Sequence, residues 1–135
     1  MLHDPNHSEP LPTAEKIVLP PRDKDMLRRL ADDLAAAASL PVHGERARLW
    51  RRLNDLDSAR PMVWINEIPW HEMDVNGELA LHTTHPFARD QEQHLRRILY
   101  QWRHLPGDMV LNDFIPCPRA LHSTGFGIRE DVDVI

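Results

Sequence analysis

The segment PFARDQEQHLRRILYQWRHL, residues 86–105, lies between two short apolar runs, and that order constrains the fold more than any other feature of the chain. Phe87, Leu95, Ile98, Leu99, Trp102 and Leu105 recur at helical spacing and form one apolar stripe. Pro86 suits a first turn, Asp90 and Glu92 lie near the positive end of the helix dipole, and Pro106-Gly107 stops the helix. On one side stands MVWINEI, residues 62–68, bounded by Pro61 and Pro69; on the other stands MVLNDFI, residues 109–115. Enrichment in Val, Ile, Trp and Phe predicts a strand for each. A strand, a helix and a second strand make a β-α-β unit with a right-handed crossover between parallel strands. Both runs turn polar toward their carboxyl ends, at Asn66-Glu67 and at Asn112-Asp113. Parallel α/β folds bind their ligands at those ends.

Upstream the texture differs. Residues 1–21 hold five of the twelve prolines with almost no periodicity, and read as an irregular arm. Residues 22–58 read as a helical pair. Met26, Leu27, Leu30, Leu34 and Ala38 form the stripe of the first helix, and Leu49, Trp50, Leu53 and Leu56 that of a second over 44–56. A hairpin of these two helices is the expected packing. Residues 59–135 then form the β-α-β unit, with a loop over 70–84 that carries Asn76-Gly77 and the alternating ELALHT, a pattern for a short hairpin arm. Two or three strands cannot close a barrel, so this fold would be the first part of a longer chain or would need a second chain to cover its edges.

Composition narrows the function classes. A formal charge of −5 argues against a nucleic-acid partner, because phosphate binding wants a basic face. The cluster Arg46, Arg48, Arg51 and Arg52 is the local exception and reads as a solvated helix face. No window approaches the roughly 18 apolar residues of a membrane span, and the first residues lack the apolar core of a secretory signal. A lone cysteine, Cys117, fits a reducing cytoplasm.

The stretches RARLWRRLNDLDSARPMVWI and DMVLNDFIPCPRALHSTGFGI, spanning about residues 44–130, resemble the opening of the uroporphyrinogen decarboxylase superfamily of (β/α)8 barrels. That resemblance implies an N-terminal portion of a barrel enzyme, contributing one wall of an active site for decarboxylation or corrinoid-linked methyl transfer. It implies a catalytic role for Asp113, matched to the family's acidic tip of the second strand, which stabilises positive charge developing on the substrate. A carboxylate in a largely apolar cleft suits that task. The methyltransferase branch would bring zinc and a corrinoid protein partner. The family's substrate-holding arginines after the first strand have no counterpart here: the stretch is NEIPWHEM, an unfavourable lining for a polyanion.

Around Asp113, the candidate substrate-binding residues are Asn66, Glu67, Trp70, His71, Phe114 and Arg119. Glu67 and His71 fit a general base with its orienting partner, or equally a polar loop satisfied by its own backbone. Trp70 fits a stacking wall or a core aromatic. Asp113 itself fits a turn residue as well as a site residue. His82, His85, Cys117 and His122 invite a metal reading, without the paired spacing of a zinc motif. The reading opposed to an enzyme is a small α/β interaction module that binds a protein partner through its amphipathic helices.

Overall fold

A computed structural model describes residues 17–74 and 76–116. It has four helices: α1 (Pro21–Ala38), α2 (Val42–Asn54), the single turn α3 (Trp70–Met73) and α4 (Pro86–His104). No strand forms among the described residues. The α/β class and the barrel units are therefore overturned: this part of the chain is helical.

The correction has a physical cause in the two apolar runs. The first is bounded by Pro61 and Pro69 and the second is followed by Pro116, and proline cannot donate to a ladder. The runs do meet, but through one backbone bond, from Asp108 N–H to Val63 C=O at 2.8 Å. The reciprocal donor, Val63 N–H, goes to the Asp108 carboxylate at 2.8 Å instead of to backbone. Gly107 makes this approach feasible. Its φ is +46°, and a Cβ there would lie 2.9 Å from Val63 O. A side chain and a left-handed turn replace the second rung, and no register propagates. The ELALHT hairpin arm is absent too; Gly77, at φ +73°, opens a turn closed by Ala80 N–H on Gly77 C=O at 3.1 Å.

The helices form where periodicity places them, but they pair differently. The stripe of α1 packs on α4 and not on α2. Leu30 and Leu34 meet Leu95 and Leu99, and Met109 and Leu111 close the core, with Met26, Ile98 and Trp102 at its margin. Nearly complete burial of such side chains stabilises by roughly 1.5–3 kcal/mol each. Helix α2 is attached by polar anchors. His43 Nδ1 accepts Leu111 N–H at 3.2 Å, so its other ring nitrogen carries the proton and donates to Ala37 C=O at 2.9 Å. Arg46 donates to Met109 C=O at 3.0 Å, and Trp50 Nε1–H to Asp108 C=O at 2.8 Å.

Two buried carboxylates fasten the long loop. Asp23, near the start of α1, accepts the amides of Thr84 and His85 at 3.0 and 2.8 Å. Glu92 of α4 is fully buried. It accepts the His82 and Thr83 amides, the Thr83 hydroxyl at 2.7 Å, and Arg96 at 2.8 Å. The sequence placed Glu92 at a helix end for its charge; here it supplies the acceptor that turning loop amides need when water is excluded.

Candidate interaction site

The sequence-derived site residues divide between several places. Asn66, Glu67 and Trp70 share the lining of a shallow depression of about 530 Å³, with Ile68 and Pro69. Trp70 and His71 line a neighbouring cleft of about 350 Å³ with Asp74, Leu79, Gln93 and Arg97. Asp113 and Phe114 line neither, and both are exposed at the end of the described residues. Arg119, like Cys117 and His122, lies outside the described residues. Asp113 has no hydrogen-bond partner among the described residues, and the strand tip expected beneath it does not form.

The clefts around Trp70 are walled by solvated side chains. The Arg97 guanidinium stands 5.2 Å over the Trp70 ring, and Tyr100 meets the ring edge-on at 6.2 Å. Arg97 thus covers one face of the Trp70 ring. His71 lies 3.4 Å from Glu72, with side chains 81% and 66% exposed, so bulk water screens the pair. Among the described residues no group of three His, Cys, Asp or Glu side chains is placed to hold a metal ion. His82 is exposed, and His85 Nδ1 accepts the Phe87 amide at 3.2 Å as the N-cap of α4.

A third concavity differs in kind. Trp50 of α2, Trp64 and Val110 line an open, shallow groove of about 450 Å³ whose walls are mainly apolar. Trp64 is 54% exposed and the adjoining Val63 52%. Beneath the groove lies the Asp108 knot. Arg60 holds both carboxylate oxygens, at 2.9 and 2.6 Å, while Trp50 and Val63 bond the same residue. The Arg60 guanidinium first, then the Val63 amide, keep the Asp108 carboxyl well below the ordinary carboxylate range against the opposing effect of burial. The knot fixes the groove wall while leaving it electrically neutral. Arg46 sits one turn before Trp50 on the same helix face. It stacks 5.2 Å from the Trp102 ring and has no carboxylate partner among the described residues.

The backbone beside the groove is half-paired. Val63 uses its N–H and C=O on Asp108, and Ile65 C=O accepts Gln101 Nε2–H at 2.7 Å. The peptide groups of Trp64 and Asn66 have no partner among the described residues. Residues 63 and 65 bond inward and 64 and 66 do not, which is the alternation of a sheet edge.

Strand reasoning missed this groove because it assigned Trp64 and Val110 to the two parallel strands of a β-α-β unit. Available signals were the two prolines around the first run and the crowding of Trp50 and Trp64 near arginines. No helix among the described residues is long and apolar enough to cross a membrane. The sequence matches no protein-family model, and no curated protein and no solved structure matches it.

Proposed function

We propose that this chain is a helical interaction module that binds an extended peptide segment of a protein partner at the Trp50–Trp64–Val110 groove. The observation that carries this reading is the combination, in one place, of an apolar groove and a backbone edge whose alternate peptide groups have no partner among the described residues. Strand addition uses those two elements: main-chain bonds supply affinity and a side-chain pocket supplies selectivity. The groove volume fits one or two side chains of a peptide, within the range of ordinary ligand pockets.

The amphipathic helices are not the contact surface in this reading, because the stripe of α1 is covered by α4. The barrel-enzyme reading required β/α units, which the described residues do not form, so decarboxylation, methyl transfer, zinc and a corrinoid partner have no scaffold to be argued from. Selection of a displayed random-peptide library on the full chain tests the proposal. The expected outcome is enrichment of peptides with a large apolar residue whose binding is abolished by Trp64→Ser and by Val110→Asp, but not by Arg97→Ala in the neighbouring cleft. No enrichment, or binding indifferent to both groove substitutions, overturns it.

A further inference from the structure

We propose that the cleft between the α3 turn and α4 binds a small zwitterion, a free amino acid, with Arg97 holding its carboxylate and Asp74 its ammonium group. The site is separate from the Trp50–Trp64–Val110 groove and does not depend on it.

The charges carry the inference. The other arginines of α4 are engaged: Arg89 donates to Thr83 C=O at 2.9 Å, Arg96 pairs with Glu92 and Arg103 with Glu78. Arg97 is the exception. Its guanidinium lies over the Trp70 ring, the residue is half-buried, and it has no carboxylate partner among the described residues. An arginine drawn partly out of water onto an aromatic face keeps a rigid fork of donors unused. Asp74 is likewise without a cation among the described residues. Its Oδ1 accepts the Leu79 amide at 3.1 Å, which fixes the carboxylate, and Oδ2 has no partner among those residues. Both side chains line the same cleft of about 350 Å³. Gln93 lies one turn before Arg97 on α4, and Trp70 and Leu79 form the apolar part of the lining. Two opposite charges thus share one cleft without pairing with each other.

That arrangement selects the ligand chemistry. A simple anion on Arg97 meets the Asp74 carboxylate, and a simple cation on Asp74 meets Arg97. A molecule carrying both charges satisfies both walls at once. Its carboxylate takes the Arg97 fork with the Gln93 amide as a further donor, and its ammonium donates to Asp74 Oδ2. Trp70 and Leu79 then cover a short aliphatic side chain, and the volume lies at the lower end of ordinary ligand pockets.

The walls are already fixed. Tyr100 Oη donates to Met73 C=O at 2.9 Å, tying the α3 turn to α4, and Arg96 donates to Glu78 C=O at 3.0 Å, tying the loop to the same helix. Little ordering is left for binding to supply. The cleft is open to water on one side, which screens its charges. Each charged contact therefore contributes a factor of about five at most, and Kd is of the order of 1 mM.

The test titrates the full, isotope-labelled chain with L-valine and follows the amide and indole signals by NMR. Saturable shifts are expected at the Trp70 indole N–H, the Gln93 side-chain amide and the Leu79 amide. Isovalerate, which is valine without its amino group, and isobutylamine, which is valine without its carboxylate, should each bind about fivefold more weakly. Two substitutions should weaken valine by the same factor. Asp74→Asn keeps an oxygen for the Leu79 amide, and Arg97→Met keeps an apolar stem over Trp70. Arg28→Ala, on the exposed face of α1, should leave binding unchanged; thermal melts confirm that each variant is folded. No saturation by about 50 mM valine overturns the proposal. So does isovalerate or isobutylamine binding as tightly as valine, or binding indifferent to both Asp74→Asn and Arg97→Met.

Discussion

The α1–α4 half of the molecule and the face made by α2 with the two apolar runs are built from similar residues and use them in opposite ways. In the first, leucines lie at 2–8% exposure and each buried carboxylate is surrounded by donors. In the second, Trp64, Val63 and Leu56 stand in solvent, and the contacts holding the face together are polar. Scattered exposed apolar residues are ordinary. A groove of two tryptophans and a valine, beside a backbone edge whose alternate groups have no partner among the described residues, is less so. The contrast separates surface consumed by folding from surface left exposed among the described residues.

The largest test of the contrast lies in the core. Leu99→Ala removes a side chain that is 3% exposed between α1 and α4, and should cost about 3 kcal/mol in urea unfolding. A loss below about 1 kcal/mol would mean that the α1–α4 contact is not the stabilising core. Slightly smaller is Glu92→Ala, which leaves the Arg96 Nε–H and the amides of His82 and Thr83 without their acceptor, while Arg96 still donates to Glu78 C=O. A loss of about 2–3 kcal/mol is expected, with amide exchange accelerating at residues 82–84 before the helices. Uniform acceleration across α4 would show that the loop is not a separately fastened unit.

Acid sharpens the comparison next. Asp23 is held below its ordinary 3.8, chiefly by the His85 amide, and Asp108 by Arg60. Burial opposes ionisation of Glu92, but the Thr83 amide and hydroxyl, Arg96 and the His82 amide outweigh it and lower it from 4.5. For a depressed carboxyl the unfolded chain binds the proton first. The stabilisation is therefore complete above about pH 4.5 and lost as pH falls through the lowered folded values. Melting temperature should be level from pH 7 to 5 and fall below about 4, more shallowly in Glu92→Gln. A profile that rises on acidification contradicts the assigned networks.

The smallest effect lies on the open face. Leu56 follows α2 at φ +60° and is 94% exposed. Its N–H bonds Leu53 C=O at 3.1 Å, and the Asp57 N–H bonds Arg52 C=O at 2.9 Å, the paired closure at a helix end that favours glycine at the left-handed position. Leu56→Gly should gain about 1 kcal/mol by relieving that conformation. An unchanged or lower stability would show that Leu56 has packing worth its strain.

Much of the helical content was legible. Periodicity located α1, α2 and α4 to within a few residues, and Pro86 and Pro106-Gly107 marked both ends of α4. The strands were misread because a short apolar run between prolines has the same composition whether it pairs in a sheet or lies against a helix. The site reasoning inherited that error: Asp113 was placed by a strand that does not form, while Asp108, five residues earlier, ties the two runs together.

The sequence alone determined the three long helices α1, α2 and α4, but not the single turn α3, because spacing of apolar side chains and local stops act within a few residues of chain. Which helix α1 would face, that Glu92 and Asp23 would be buried as loop fasteners, and that Trp64 would be left facing water were decided only in three dimensions. Each depends on groups from separate segments packing apolar faces together or satisfying one another's hydrogen bonds once water is excluded, and no local pattern encodes such a match.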